Sequence, residues 1–281
     1  MSLDLLKGVC RSALSAISGF SARSPPSSLR EVVKRGAGGD LTKRIDKVAE
    51  DAAVSYLESA GFRGSLLSEE LGVKRFGGEE YPLVVLDPVD GTTNATRGIA
   101  LYSISAAIAL GPRLSDVESA VVMEIPSGRA FWAERGSGAF LDGVPIRVND
   151  GVDVPKSLAG LDFNVRGNRE KVYEVLPVLL SVKHIRNLGS AALGLCYTAS
   201  GALDFYLDNR LLLRVTDIAA SVLILREAGA KVLDLEGNDL DCALELAERV
   251  ELIAGCEKVC REVLSLIRRN ARPKTWKKFS P

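Results

Sequence analysis

Asp87-Pro88-Val89-Asp90-Gly91-Thr92-Thr93 places two carboxylates three positions apart, directly after the apolar run Leu83-Val84-Val85-Leu86. Such a run predicts a strand, so the acids emerge at a strand's C-terminal end. Pro88 stiffens the turn there, and Gly91 permits close backbone approach. Both carboxylates can then face one pocket. Ligation by oxygen alone suits Mg²⁺ or Mn²⁺, whereas zinc sites recruit His or Cys. The amides of Gly91, Thr92 and Thr93 become phosphate donors where a helix or nest begins at that point. Taken alone, the segment fits a turn with capping aspartates equally well. Three further acidic clusters shift the balance. Asp40 and Asp46 flank the start of a predicted helix, Glu69-Glu70 follow a short strand, and Asp217 opens a helix. Asp217 by itself fits a helix cap better than a ligand. Carboxylates at the ends of several separate elements, with glycines nearby, are what a multi-metal phosphate site requires.

Other chemistries are poorly supplied. The single histidine, His184, argues against a His-rich zinc site and against a Ser-His-Asp triad. Five cysteines, Cys10, Cys196, Cys242, Cys256 and Cys260, are odd in number and scattered, which argues against a disulfide framework. Cys256 and Cys260 lie one helical turn apart and read as a buried helix face. Lys plus Arg and Asp plus Glu both number 36 in 281 residues, so net charge supplies no reason for a nucleic-acid or membrane partner. No apolar run approaches the roughly 20 residues needed to cross a bilayer. Met1 to Val9 lacks a signal peptide's apolar core and cleavage site, so a cytoplasmic protein is expected. A P-loop kinase is excluded because no Gly-x-x-x-x-Gly-Lys-Ser/Thr segment occurs.

The elements that must position these acids follow from periodicity. Apolar residues at helical spacing predict a first helix over Leu3 to Phe20, broken by Pro25 and Pro26, and a second over Leu41 to Ala60. Between them Glu31 to Asp40 is basic and then Gly-rich, which predicts a loop. Strands are predicted at Ser65 to Leu67, Tyr81 to Leu86, Ser103 to Leu110, Ala120 to Glu124 and Ala130 to Glu134. Arg135 to Gly143 reads as two turns around a short strand. After Asn149 to Lys156 the chain alternates strands and helices, the clearest helices being Ser190 to Ser200 and Asp217 to Ala228. From Arg268 the chain is basic and reads as a frayed tail.

Ser68-Glu69-Glu70, Asp87-Pro88-Val89-Asp90-Gly91-Thr92-Thr93-Asn94 and Thr216-Asp217-Ile218-Ala219-Ala220 resemble the signature segments of the inositol monophosphatase superfamily. Asp40-Leu41-Thr42-Lys43-Arg44-Ile45-Asp46 and Gly136-Ser137-Gly138-Ala139-Phe140 resemble its secondary motifs. The resemblance runs in order from about residue 30 to residue 255. Ser68 to Val73 and Gly194 to Ala230 are most similar to the archaeal-type enzymes that hydrolyse both fructose 1,6-bisphosphate and inositol phosphates. The resemblance implies an α/β (α+β) protein, an α-β-α-β-α layered sandwich of the sugar phosphatase type. Its site would lie between an N-terminal α+β half, residues 1–150, and a C-terminal α/β half, residues 151–267, with a basic tail at 268–281. It also implies a homodimer.

By the same resemblance, Glu69, Asp87 and the Val89 carbonyl bind a first Mg²⁺. Asp87, Asp90 and Asp217 bind a second, with Asp87 bridging, and Glu70 helps hold a third; Mn²⁺ is an alternative metal. A metal pair about 3.5–4 Å apart activates a water and stabilises the departing alkoxide. Asp46 and the Thr92 hydroxyl would orient and deprotonate that water. Substrate contacts fall on Asp90, Gly91, Thr92, Thr93 and Ala191. The Lys34 to Asp40 loop would close over the site, although its composition fits a plain surface loop equally.

Two departures from the family pattern bear on substrate. Members specialised for inositol phosphate carry a carboxylate seven residues before the last metal-binding Asp, and here that position is Arg210. A guanidinium suits a second phosphate better than a neutral polyol. Arg186, just ahead of Gly189-Ser190-Ala191, is a second candidate. Thr216 stands where many relatives have Trp, which widens the pocket. The expected activity is Mg²⁺-dependent hydrolysis of fructose 1,6-bisphosphate to fructose 6-phosphate, and of inositol 1-phosphate, in carbohydrate metabolism. Alternatives are an inositol-phosphate-specific enzyme and a nucleotide 3′-phosphate phosphatase, for which no adenine pocket is evident. A catalytically silent metal-binding interaction protein is a third, disfavoured by the intact acidic set.

Overall fold

The computed structural model describes residues 2–270 apart from Asp40 and Phe163. Asp40 and the part of the basic tail from residue 271 onward lie outside the described residues. Helix α1 (Ser2–Ser21) and the short α2 (Pro26–Leu29) lead into a hairpin of β1 (Val32–Arg35) and β2 (Leu41–Lys43), and α3 (Arg44–Ser59) follows directly. The chain continues through β3 (Gly64–Ser68), β4 (Gly72–Phe76), β5 (Leu83–Asp90), α4 (Thr92–Arg97), β6 (Ser103–Ala109), β7 (Val117–Glu124), β8 (Ala130–Glu134), β9 (Ala139–Leu141) and β10 (Val144–Ile146). The second half comprises β11 (Leu158–Leu161), α5 (Arg169–Ser181), β12 (His184–Arg186), α6 (Ala191–Ala199), β13 (Phe205–Leu213), α7 (Val215–Glu227), β14 (Lys231–Leu233), β15 (Val250–Gly255) and α8 (Glu257–Asn270).

Strands β3 to β10 form one sheet of order β10-β9-β8-β7-β6-β5-β3-β4, antiparallel except where β3 runs parallel to β5. Strands β11 to β15 form a second, of order β12-β11-β13-β15-β14, with β12, β11 and β13 parallel. The pleat sends alternate residues of β5 to opposite faces. Val84 and Leu86 join Leu6, Val9 and Ala13 of α1 and Ala49 and Ala53 of α3 in one core. Leu83 and Val85 join α6, α7 and, across them, Tyr206, Leu252 and Ala254 of the second sheet. Phe205, Leu207 and Ile253 on that sheet's far face pack with Val175 and Val178 of α5 and Val259 and Val263 of α8. The order is therefore helices, sheet, helices, sheet, helices, the layered sandwich expected.

Helices α6 and α7 are sealed between two sheets, which explains why both are apolar on almost every side; eight of the nine residues of α6 are buried. They also join the two halves of the sequence through one shared core. The fit here is tight. A Cβ added at Gly194 on α6 would lie 2.5 Å from the Tyr206 ring, and one added at Gly160 on β11 would lie 2.8 Å from it. Gly194→Ala would gain about 1 kcal/mol of helix propensity and lose about 1–3 kcal/mol to overpacking. Net destabilisation is expected, read as a lower chemical-denaturation midpoint; a stabilised Gly194→Ala would contradict this packing.

Three expectations need correction. The second helix does not start at Leu41. Leu41 to Lys43 pair as a strand with Val32 to Arg35, and the helix begins at Arg44. The segment read as a loop from Glu31 is thus a hairpin, its β-branched Val32 and Val33 extended in β1. Helix α8 extends to Asn270, so Arg268 and Arg269 belong to a helix rather than to a frayed tail. All five cysteines are free and buried, Cys256 and Cys260 among them. No helix among the described residues is long and apolar enough to cross a membrane.

Candidate functional site

Strands β3 and β5 run parallel with Ser68 opposite Leu86, so Glu69 and Asp87 leave adjacent strands at the same end. Asp217, in the first turn of α7, reaches the same point from the neighbouring layer. Carboxylate oxygens of Glu69, Asp87 and Asp217 all lie within 4.8 Å of one another, the group among the described residues with metal-ligand spacing. They line a cleft of about 460 Å³ together with Asp46, Glu70, Val89, Asp90, Gly91, Thr92 and Thr93. That volume is in the range of small-molecule sites.

Local backbone chemistry aims each group. Val89 N–H donates to Asp87 Oδ1 at 3.0 Å, fixing one oxygen in the turn. Asp46 and Asp217 occupy equivalent places, each three residues after a helix cap. The Lys43 N–H donates to Asp46 Oδ2 at 2.8 Å, and the Arg214 N–H to Asp217 Oδ2 at 2.9 Å. One oxygen of each acid therefore caps its helix. Asp46 Oδ1 is buried with no hydrogen-bond partner among the described residues. Thr92 Oγ1 donates to the Val89 carbonyl at 3.0 Å, and the hydroxyl lines the cleft with Asp46. Gly91 adopts a φ of 92°, and a Cβ there would lie 3.1 Å from the Leu101 carbonyl oxygen and 3.2 Å from that of Gly189. Only glycine satisfies both constraints.

Asp90 is engaged differently from Asp87. Its Oδ2 accepts from Ser190 Oγ and from Ala192 N–H at 2.8 Å, and its Oδ1 accepts from Ala191 N–H at 3.3 Å. It thus faces the start of α6, where the macrodipole favours negative charge. Ala191 touches the site through this amide. The close three-carboxylate group leaves Asp90 out, although Asp217 remains near enough to act on it electrostatically.

Burial raises every acid here, and neighbouring acids add to it at Glu69, Glu70, Asp87, Asp90 and Asp46. Burial, then Asp217, pushes Glu69 up to about 8, with Arg214 opposing. Asp87 is held well above the usual carboxylate range by burial and then by Glu69. Asp90 rises to about 7 through burial and Asp217, and Asp46 to about 7 chiefly through burial. Asp217 and Glu70 are raised by burial as well. A compact set of oxygens that repel one another, with no histidine or thiol among them, fits a hard divalent cation, which would relieve that repulsion.

The hairpin turn closes one side. Gly38 N–H donates to the Glu69 carbonyl at 2.8 Å and Ala37 N–H to the Glu70 carbonyl at 3.2 Å. Thr42 Oγ1 donates to Glu70 Oε2. A Cβ at Gly36 would collide with Glu70 Oε2, so any larger residue in this turn would displace the Glu70 carboxylate. Arg214 reaches Glu69 Oε1 at 2.8 Å and the Gly38 carbonyl at 3.2 Å.

The cations of the cleft are Lys43, Arg166 and Arg214, and two of these were not singled out in the sequence. Arg210 and Arg186, the expected phosphate binders, do not line it. The Arg210 guanidinium is spent on Asp208 at 2.5 Å and Asp162 at 2.9 Å, with only 9% of its side chain exposed. Arg186 sits exposed on β12 and turns back to the Ile185 carbonyl at 2.9 Å. Arg214 carried a usable signal, three residues before Asp217 at a helix start. Arg166 carried none, being one basic residue in a polar loop, where it takes a left-handed φ of 48°.

The inositol monophosphatase family profile matches residues 10–268. The chain is 39% identical over 234 residues to a fructose-1,6-bisphosphatase/inositol-1-monophosphatase of Methanothermobacter thermautotrophicus, covering 80% of this chain and 82% of that one. It is 34% identical over 263 residues to a bifunctional NADP phosphatase/NAD kinase of Methanocaldococcus jannaschii, covering 84% of this chain and 46% of that longer protein. A crystal structure described as an inositol monophosphatase-fructose 1,6 bisphosphatase superposes with a TM-score of 0.78 at 28% identity, covering 95% of this chain and 98% of the other.

Proposed function

We propose that this chain, which belongs to the inositol monophosphatase family, is a Mg²⁺-dependent phosphomonoesterase that hydrolyses fructose 1,6-bisphosphate and inositol 1-phosphate. The observation that carries this reading is the convergence of Glu69, Asp87 and Asp217 within 4.8 Å, in a chain similar to relatives named for both activities. Glu69, Asp87 and Asp217, with the Val89 carbonyl, Asp90 and Glu70, would hold the metal ions. Bound there, Mg²⁺ supplies Lewis acidity to the phosphoryl oxygens and lowers the pKa of water. Asp46 and Thr92 would orient the attacking water, since both line the cleft and Asp46 Oδ1, with no hydrogen-bond partner among the described residues, can accept a proton there. The amides from Gly91 to Thr93 would face the phosphoryl group at the start of α4. A homodimer and a cytoplasmic setting belong to the same reading.

Lys43, Arg166 and Arg214, which line the cleft, would supply the positive charge for phosphate in place of Arg186 and Arg210. Arg166 is the exposed one, at the cleft's outer edge, which suits the second phosphate of a sugar bisphosphate. Initial rates of phosphate release from fructose 1,6-bisphosphate and inositol 1-phosphate test the proposal. Arg166→Ala should raise KM for the bisphosphate about tenfold and leave that for inositol 1-phosphate within about twofold. A wild type inert toward fructose 1,6-bisphosphate would contradict the substrate assignment, and equal losses on both substrates would contradict the role of Arg166. The similarity to an NADP phosphatase favours a second reading, and faster release from NADP than from either substrate would select it.

A further inference from the structure

Helix α3 carries a second buried acid one turn beyond Asp46. Glu50 is 1% exposed, and its Oε1 accepts two hydrogen bonds, from Ser68 Oγ at 2.5 Å and from Leu71 N–H at 2.8 Å. These donors stand immediately before and after Glu69-Glu70. Its Oε2 is buried with no hydrogen-bond partner among the described residues. Burying a carboxylate so incompletely satisfied costs stability, and an apolar side chain would fill the space without that cost. Packing therefore does not account for an acid at this position, whereas its two contacts do.

The carboxylates of Glu69 and Glu70 meet Arg214 and Thr42, and Lys34 Nζ donates to the Glu70 carbonyl at 3.2 Å, which leaves the backbone to be fixed from the side of α3. Ser68 pairs with Gly72 across the β3–β4 hairpin, leaving Glu69, Glu70 and Leu71 as the connecting loop. The carbonyls of Glu69 and Glu70 are held from outside by the amides of Gly38 and Ala37 in the hairpin turn. From inside, the loop is tied at both ends to the single oxygen Glu50 Oε1. Resting on the assignment of Glu69 and Glu70 to metal, we infer that Glu50 is a positioning residue, a clamp from helix α3 that fixes the backbone carrying both carboxylates without touching the metal. A side chain that orients ligands from behind typically changes metal affinity by about 10–100-fold when removed.

Direct Mg²⁺ binding by isothermal titration calorimetry provides the test, run beside thermal unfolding of the full chain. Glu50→Ala should weaken Mg²⁺ affinity by about 10–100-fold, and Ser68→Ala by a smaller factor. Glu50→Gln keeps an acceptor oxygen facing both donors and should stay within about threefold of wild type, rescue that a requirement for charge would not produce. Should Glu50→Ala not fold, Ser68→Ala and Glu50→Gln carry the test alone. Wild-type affinity in Ser68→Ala and in any folded Glu50→Ala overturns the clamp, as does Glu50→Gln binding as weakly as Glu50→Ala. A wild type that binds no Mg²⁺ overturns the metal assignment and the clamp together, so the two failures are distinguishable.

Discussion

Asp87→Asn is expected to cut phosphate release by about a thousandfold or more while making the metal-free protein more stable near pH 8. Activity falls because Asp87 is the middle member of the acidic group, exposed by only 3% and within reach of both Glu69 and Asp217. Removing its charge would deprive a bound metal of an anionic oxygen from the centre of the acidic group, and several kcal/mol of transition-state stabilisation would go with it. Stability moves the other way. Asp87 is buried against Glu69 and Asp90, so its ionised form is strongly disfavoured. An amide retains the Oδ1 that accepts from Val89 N–H and removes the repulsion. Each kcal/mol so relieved should raise the thermal midpoint by roughly 2–4 °C. Asp90→Asn provides the contrast, because both Asp90 oxygens accept from the start of α6 and an amide nitrogen there would face a donor. That variant should lose stability as well as turnover. An Asp87→Asn protein that is less stable than wild type without metal, and still gains stability from Mg²⁺, would refute the assignment.

The second large effect is on pH dependence. Glu69 rises to about 8, and Asp46 and Asp90 to about 7. For an acid with a raised pKa, the folded state binds the proton more tightly than the unfolded state. Its contribution is fully present below the unfolded carboxylate value of about 4 and is lost as pH rises through the folded value. Metal-free protein should therefore lose stability from this cluster between about pH 4 and pH 8. Added Mg²⁺ replaces the protons, so its stabilising effect should be small at pH 5 and large at pH 8. Thermal midpoints with chelator and with excess Mg²⁺ across this range measure both trends. Surface acids held low by cations, such as Asp153 beside Lys258 and Glu257 beside Arg261, are exposed and screened and contribute little. Subtracting the Asp87→Asn profile isolates the share that depends on Asp87. A metal-free midpoint that rises steadily with pH, or an Mg²⁺ effect independent of pH, would contradict the coupled acidic site.

By itself the sequence determined what depends on neighbours along the chain. The apolar run of β5 ending in Asp87 to Thr93 specifies a strand, a turn and two carboxylates, because side-chain alternation and glycine's backbone freedom are local properties. The buried helices α6 and α7 were legible for a similar reason, since a helix covered by two sheets must be apolar on nearly all sides. The ordered motifs from Ser68 to Ala220 then pointed to a family and its layered fold. Tertiary structure decided which partner each polar group meets. Arg210 looked like a phosphate binder, but Asp162 and Asp208 lie closer and claim its guanidinium. Arg214 and Arg166 joined Lys43 as cations of the cleft because the start of α7 and a loop after β11 bring them there from distant positions. Strand β2 formed where a helix was expected, because its hydrogen bonds go to β1 across the turn. Glu50 was one more acid on an amphipathic helix until the strand end at Ser68 came to rest against it. Local geometry is encoded by spacing, whereas the assignment of charges to partners depends on distances that no spacing specifies.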